Sequence, residues 1–382
     1  MRKNLYCAIA VLLMAGASAC RRHINDAPLE VTDADGVIAS IGNMSTARAA
    51  HTATLLPDGK VLIAGGFAGA ENGKTSAEIY DRGTNTFAVI NNMTTPRQSY
   101  TATLLPNGKV LIAGGFNGTY LASAEIYDPT MGNFTPTGRM ATARYGHLAM
   151  LLRNGKILLV GGVGEGFTFL ASAELYDPAT GKFEPAGNMT MARESHTITM
   201  LQDGSVLITG GHRGRQSAIT IYASAEIYDP ATGAFRATGN MTTRRHKHDA
   251  VSLPNGQVLI NGGSDERDDQ NAYASAEIYN PATGVFRAIG DMPLIRYKHE
   301  GTSILLPSGK ALIAGGASNA VIYDPASNTF GVVAGSLGTN RLSRLFSTAT
   351  LLSTGEVLII GGYGLGQNVS ATAWLYKPRE VK

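Results

Sequence analysis

The sequence predicts an all-β fold in which seven four-stranded antiparallel sheets close into a ring. Three observations predict it. Paired glycines follow an apolar run at Gly65-Gly66, Gly114-Gly115, Gly161-Gly162, Gly210-Gly211, Gly262-Gly263, Gly315-Gly316 and Gly361-Gly362, at successive spacings of 49, 47, 49, 52, 53 and 46 residues. Self-similarity at such a period marks one array of repeats and not a set of separate domains. Within each copy the apolar runs are four to seven residues long, rich in Val, Ile, Leu, Thr and Tyr, and bounded by Gly, Pro and Asn, which is the pattern of strands. Finally, 46 of the 382 residues are glycine and only 16% are charged, against about 7% and 25% in an ordinary domain, so the chain is turn-rich.

The elements follow in chain order. Residues 1–19 open with Arg2 and Lys3, run apolar from Leu5 to Ala17, and end on small residues just before Cys20. This is a secretory signal whose apolar stretch is too short to span a bilayer comfortably. The segment resembles a bacterial lipoprotein signal, which implies that Cys20 carries lipid, and Arg21 in place of an aspartate implies sorting to the outer membrane. The two cysteines of the chain are Cys7 and Cys20, so the body of the protein has no thiol for a disulfide scaffold, a cysteine-ligated metal or a nucleophile. Removing residues 1–19 takes away two cations, and the formal charge falls from +3 to +1. No cationic stripe then remains to track a phosphate backbone, and nucleic acid is not expected as a partner. Residues 20–35 read as a lipidated linker, 36–378 as the ring and 379–382 as a tail.

Each repeat begins with a run such as His51–Leu56, turns through Pro-Asp-Gly or Pro-Asn-Gly, and continues through a run such as Lys60–Ala64 to the glycine pair. Tight hairpin turns need positive φ, where Gly and Asn cost least, so this first hairpin is fixed by its turn. A loop of variable length leads to Ser76–Asp81, then a turn usually written Pro-Ala-Thr-Gly, then a short strand centred on Phe87. The glycine pair, the tyrosine of the third strand (Tyr80, Tyr127, Tyr176, Tyr228, Tyr279, Tyr323, Tyr376) and the phenylalanine seven residues on (Phe87 to Phe330) resemble the kelch repeat. That resemblance implies a seven-bladed β-propeller similar to the central domain of galactose oxidase. The seventh unit ends at Pro378 without its last aromatic strand, whereas Gly36–Met44 aligns with Gly233–Met241. The N-terminal segment is therefore expected to supply the outer strand of the last sheet and leave no open edge in the ring.

Alternating strand direction puts the near-identical hairpin turns on one face and the variable loops between second and third strands on the other. Binding residues sit preferentially on variable loops held by a rigid scaffold, so the second face is the candidate. On that side Met-x-x-x-Arg-x-x-His recurs: Met44/Arg48/His51, Met140/Arg144/His147, Met189/Arg193/His196 and Met241/Arg245/His248, with Tyr100 after Arg97. Arg48, Arg97, Arg144, Arg193 and Arg245 precede the five units whose third strand carries Glu78, Glu125, Glu174, Glu226 and Glu277. The expectation is five buried arginine–glutamate pairs, absent from unit six (Val321) and unit seven (Trp374), because an unpaired buried charge is costly. The histidines are not expected to bind metal, since neighbouring repeats do not bring three nitrogens onto one ion. His212, Arg213, Arg215, Arg244, His246 and Lys247 make one sector basic, while Asp265, Glu266, Asp268 and Asp269 make the adjoining loop acidic. This sector is the candidate recognition patch.

The reading of function is a non-catalytic, lipid-anchored cell-envelope protein that binds a protein or glycan through the loop face, without a cofactor. Resemblance to galactose oxidase implies a copper site with a cysteine-crosslinked tyrosine, but no cysteine follows Cys20. Two alternatives are a carbohydrate-active enzyme working with side chains alone, as kelch propellers that epimerise sialic acid do, and a structural component of the envelope.

Overall fold

A computed structural model describes residues 31–69, 73–265, 271–340, 342–366 and 368–379. The signal segment and Cys20 lie outside the described residues. Units one to five each form a four-stranded antiparallel sheet in sequence order; in unit one the strands are Thr52–Leu55, Val61–Ala64, Ala77–Asp81 and Thr86–Val89. The first strands of successive units touch, and Thr348–Leu351 of unit seven touches Thr52–Leu55 of unit one, so the order closes on itself.

Burial follows position within each sheet. First strands such as Thr-Ala-Thr-Leu are half-buried, and second strands, written Val-Leu-Ile-Ala or close to it, are buried at every residue. A strand covered on both faces reads as a continuous apolar run. The main hydrophobic clusters lie between units and not within them: Val61, Ile63 and Tyr80 of unit one pack with Leu358, Ile360 and Leu375 of unit seven, with Met44 between. Met140, Met189, Met241 and Met292 fill the equivalent gaps.

The N-terminal strand, Val31–Asn43, pairs antiparallel with Thr372–Lys377 from Val37↔Lys377 to Asn43↔Thr372. It begins inside the span read as linker. Its first residues pair parallel with the outer strand of unit six, Val31↔Val332 and Thr32↔Val333, so units six and seven form one eight-stranded sheet. Asp35 adds a side-chain tie, 2.6 Å from Lys310. The chain start thus fastens two neighbouring sheets where a clasp on unit seven alone was expected.

Neighbouring units are tied through an arginine. Nη1 of Arg48, Arg97, Arg144, Arg193, Arg245 and Arg296 donates to the carbonyl of the first glycine of its own unit's pair at 2.5–3.0 Å, and Arg344 does so at 3.4 Å. The same residues' backbone carbonyls accept from the second glycine of the preceding unit. Gly66 donates to Arg97 at 2.9 Å and Gly362 to Arg48 at 2.8 Å, which closes the cycle. The pairing explains the glycines. A Cβ on Gly114 would lie 2.6 Å from both the Arg144 carbonyl oxygen and Cε1 of His147, at a φ of +66°.

Five of these arginines meet a carboxylate: Arg48–Glu78 at 3.1 Å, Arg97–Glu125 at 2.9 Å, Arg144–Glu174 at 3.0 Å, Arg193–Glu226 at 2.8 Å and Arg245–Glu277 at 2.8 Å. All ten side chains are buried. Each glutamate also accepts from the backbone at the entry to its unit, as Glu174 does from Ala141 at 2.8 Å and Thr142 at 3.1 Å. The pairs stop at unit five as expected, but the arginine does not, because Arg296 and Arg344 hold the carbonyl of the first glycine of their own unit's pair, Gly315 and Gly361. At unit seven the guanidinium of Arg344 lies 4.5 Å over the ring of Trp374, a cation–π contact in place of the carboxylate. At unit six Val321 stands at the glutamate position and Pro293, lacking an N–H, stands where Ser45 donates to Glu78. Arg296 is left to backbone carbonyls of Gly315 and Asn319, and burial pulls it down to about 9.

Two outcomes are expected. Removing one partner of a buried pair costs about 3–5 kcal/mol because the other charge is stranded. Arg144→Ala and Glu174→Ala should each destabilise by that order in urea unfolding, and the double variant by clearly less than their sum; additive losses would argue against coupling. The second outcome concerns pH. Burial holds His51, His196 and His299 down to about 3, and His147 and His248 well below the usual value. These groups take up protons near pH 6.5 only when the chain unfolds, so stability falls as pH drops below 6.5, by about 1.4 kcal/mol per group per pH unit. Asp249 and Glu300, raised by burial to about 6 and 7, act in the opposite sense, leaving a net loss of histidine sign. Thermal melts should show a steep fall in Tm between pH 6.5 and 5; a flat profile there would contradict this.

Candidate functional site

Two residues separate each tie arginine from the histidine that follows it, or from Tyr100 in unit two and Ser347 in unit seven, and the second of these two residues is left-handed in every unit. Ala50, Ser99, Gly146, Ser195, Lys247, Lys298 and Phe346 have φ between 48° and 61°. Left-handed backbone costs an L-residue about 1–2 kcal/mol, so it needs compensation. Here the compensation is a chain of bonds around the axis. The N–H of Ala50 donates to Phe346 at 3.0 Å, Phe346 to Lys298 at 2.8 Å, Lys298 to Lys247 at 3.1 Å and Lys247 to Ser195 at 3.0 Å. On the other side Gly146 donates to Ser99 at 2.9 Å, and Ser99 to Ala50 at 3.2 Å. The backbone thereby forms a constriction whose side chains are not dictated by the repeat.

Above this constriction aromatic and charged groups from units four to seven meet. Lys247 Nζ lies 3.3 Å from the Tyr297 hydroxyl, and Lys298 Nζ lies 3.1 Å from the Tyr363 hydroxyl. Lys298 also sits 5.2 Å, 5.4 Å and 5.7 Å from the ring centres of Tyr297, Phe346 and Tyr363. Burial disfavours the charge on Lys247, but Tyr297, Glu194 and Glu300 outweigh it and raise its pKa. Beside the lysines runs a polar chain: Glu194 Oε2 is 3.4 Å from His212 Nε2, and His212 Nδ1 is 3.3 Å from His246 Nδ1. Burial lowers the pKa of His212 against the pull of Glu194. In units two and three, Phe116, Tyr120 and Tyr145 form a second aromatic cluster, with ring centres 5.4–5.9 Å apart. The loops of units three and four are short two-stranded ribbons, Val163–Gly164 with Thr168–Phe169 and His212–Arg213 with Thr220–Ile221, and they wall this side. Arg215 from one ribbon stacks 3.3 Å over Phe167 of the other.

The recognition sector expected from sequence divides. His212, His246 and Lys247 belong to the axial cluster, where His212 and His246 are buried. Arg213 and Arg215 are exposed on the unit-four ribbon. Arg244, with a side chain 61% exposed, reaches Asp265 at 3.6 Å on the rim. Glu266, Asp268 and Asp269 lie outside the described residues. Sequence reasoning missed Glu194, Tyr297, Lys298, Phe346 and Tyr363. Their signal was available at the variable positions between arginine and histidine and just after the glycine pair.

The Kelch motif model matches residues 48–94, 99–141 and 144–190. Among curated proteins no sequence matches the chain. A solved fungal alcohol oxidase of the AA5 family, described in complex with copper, superposes with a TM-score of 0.70 at 18% identity, covering 90% of this chain and 76% of its own. Among the described residues no group of three His, Cys, Asp or Glu side chains is placed to hold a metal ion, and no cysteine follows Cys20. At this identity the likeness concerns the fold. The three motif matches, the run of four-stranded antiparallel sheets and the superposition together support a kelch-type propeller.

Proposed function

We propose that this chain is a seven-bladed kelch-type propeller, held on the cell envelope by lipid at Cys20, that binds a protein or glycan through its loop face. The cyclic arginine–glycine ties and the closed contact order of the first strands support the blade count, with the eight-stranded sheet read as blades six and seven joined by the N-terminal strand. The signal segment supports export and anchoring.

The observation that carries the binding reading is the axial cluster. The repeat fixes the arginine, the histidine or its substitute, and the glycine pair, yet the residues between them are Ala-Ala, Gln-Ser, Tyr-Gly, Glu-Ser, His-Lys, Tyr-Lys and Leu-Phe in units one to seven. A rigid ring carrying different aromatic and charged side chains at equivalent positions is the form of a recognition site, with apolar walls and a few convergent polar groups. A second reading, a carbohydrate-active enzyme using side chains alone, is favoured by the Glu194–His212–His246 contacts, which supply groups able to hold and pass a proton.

Binding is tested with the full chain in detergent, probed on a glycan array and against envelope extract. The expected result is a retained glycan or protein whose binding Tyr363→Ala and Tyr145→Ala weaken by about tenfold or more, the size of effect typical of central aromatic contacts. Lys109→Ala, on the hairpin-turn side, should leave it unchanged. Retention insensitive to both tyrosine variants would contradict the reading.

A further inference from the structure

We infer that the mouth of the axis over units one to four takes a neutral hexopyranose, with Glu194 and Gln98 as the groups that meet its hydroxyls. The inference rests on the binding reading above and narrows it to one class of glycan.

The constriction is lopsided. Ala50, Ser99, Gly146 and Ser195 bring its smallest residues to units one to four, and Lys247, Lys298 and Phe346 bring its largest to units five to seven. The small residues form a shelf, joined where Ser99 donates to Ala50 at 3.2 Å and Gly146 to Ser99 at 2.9 Å. Phe67 and Phe116 belong to its edge, because their backbones pair with Ala49 and Gln98, the residues next to Ala50 and Ser99. Both are half-buried, as is Tyr145 beside Gly146, and the rings of Phe116 and Tyr145 lie 5.9 Å apart centre to centre. Half-buried rings beside residues too small to cover them leave flat apolar surface for a ligand, and the C–H face of a pyranose matches it.

Polar groups reach the same shelf. A Cβ on Gly146 would lie 2.9 Å from Glu194 Oε1, at a φ of +61°, so the glycine makes room for this carboxylate. Glu194 Oε2 accepts from the Ser195 hydroxyl at 2.8 Å and lies 3.4 Å from His212 Nε2, whereas Oε1 accepts no hydrogen bond among the described residues. The side chains of Gln98 and Ser99 likewise make none among the described residues. A wholly apolar ligand would take Oε1 out of water without a partner, and a polyhydroxylated ring supplies the donor. Charge selects a neutral ring. Lys247 is already offset by Glu194 and Glu300, and a carboxylate on the shelf would face Glu194. A cationic ligand would meet Arg215, which acts on both Tyr120 and Tyr145.

Isothermal titration of the full chain in detergent with tetrasaccharides of glucose, mannose and galactose, and with the galacturonic acid tetramer, tests the inference. At least one neutral tetrasaccharide should bind, and the acidic one should bind at least about tenfold more weakly than it. Glu194→Ala and Phe116→Ala should each weaken the neutral ligand by about tenfold or more. Gln98→Ala should weaken it by about threefold or more at unchanged Tm, since that side chain holds nothing else in the fold. Failure of all three neutral tetrasaccharides, with a protein from envelope extract still retained, would overturn the inference and leave the binding reading standing; failure of both would overturn the two together. Galacturonate binding as tightly as the neutral sugars would overturn the inference alone, as would neutral binding that survives Phe116→Ala and Gln98→Ala unchanged.

Discussion

The arginine that opens each unit is the constraint on which the rest of the structure depends. Its side chain holds the first glycine carbonyl of its own unit, and its backbone carbonyl receives the second glycine N–H of the unit before. One residue thereby fixes both the pitch within a sheet and the angle to the next. The interaction requires glycine twice, because the neighbouring histidine and arginine approach too closely for a Cβ. A charged tie can remain buried only with compensation, and three forms occur: a glutamate in five units, the Trp374 ring in unit seven, and backbone carbonyls alone at Arg296.

From that tie follows the division of labour between the two faces. Holding the arginine leaves the chain to turn through a left-handed residue before the histidine, and those residues link into the constriction at the axis. Their conformation is set by the backbone, so their side chains are released from structural duty. On the opposite face the hairpin turns pack tip to tip, each glycine beside the preceding unit's turn, as Gly108 is beside Pro57. Variation there would disturb closure, and the repeats keep those turns nearly constant.

Much of this was legible in the sequence because its signals are local and periodic. The glycine spacing, the hairpin turns and the Tyr–Phe pairs place the strands, and the covariation of Arg144 with Glu174 and its equivalents places the buried pairs. Arg296 was harder to read because nineteen residues separate it from Gly315 where seventeen separate Arg144 from Gly161, and because Val321 and Pro293 remove both the carboxylate and one donor it would hold. Residues 31–35 looked like linker because their partner, the outer strand of unit six, lies some three hundred positions away. The axial cluster was the least legible part. It gathers one or two residues from each of several repeats about fifty positions apart, a convergence that exists only after the ring closes. Of the expected sector, His212, His246 and Lys247 reach the axis, while Arg244, equally basic in sequence, turns to Asp265 and Arg215 stacks on Phe167.

The central claim, that the arginine ties and the axial constriction form one cooperative closure, is tested most directly by native-state hydrogen exchange. Amides that open only with the whole fold exchange with the global unfolding free energy, and amides that fray exchange far sooner. The N–H groups of Ala50, Lys298 and Phe346 should match the protection of the buried strand Val61–Ala64 and lose it in step with that strand as urea is added. Rapid exchange at these three amides while Val61–Ala64 stays protected would show that the axis opens independently of the ring and would contradict the account.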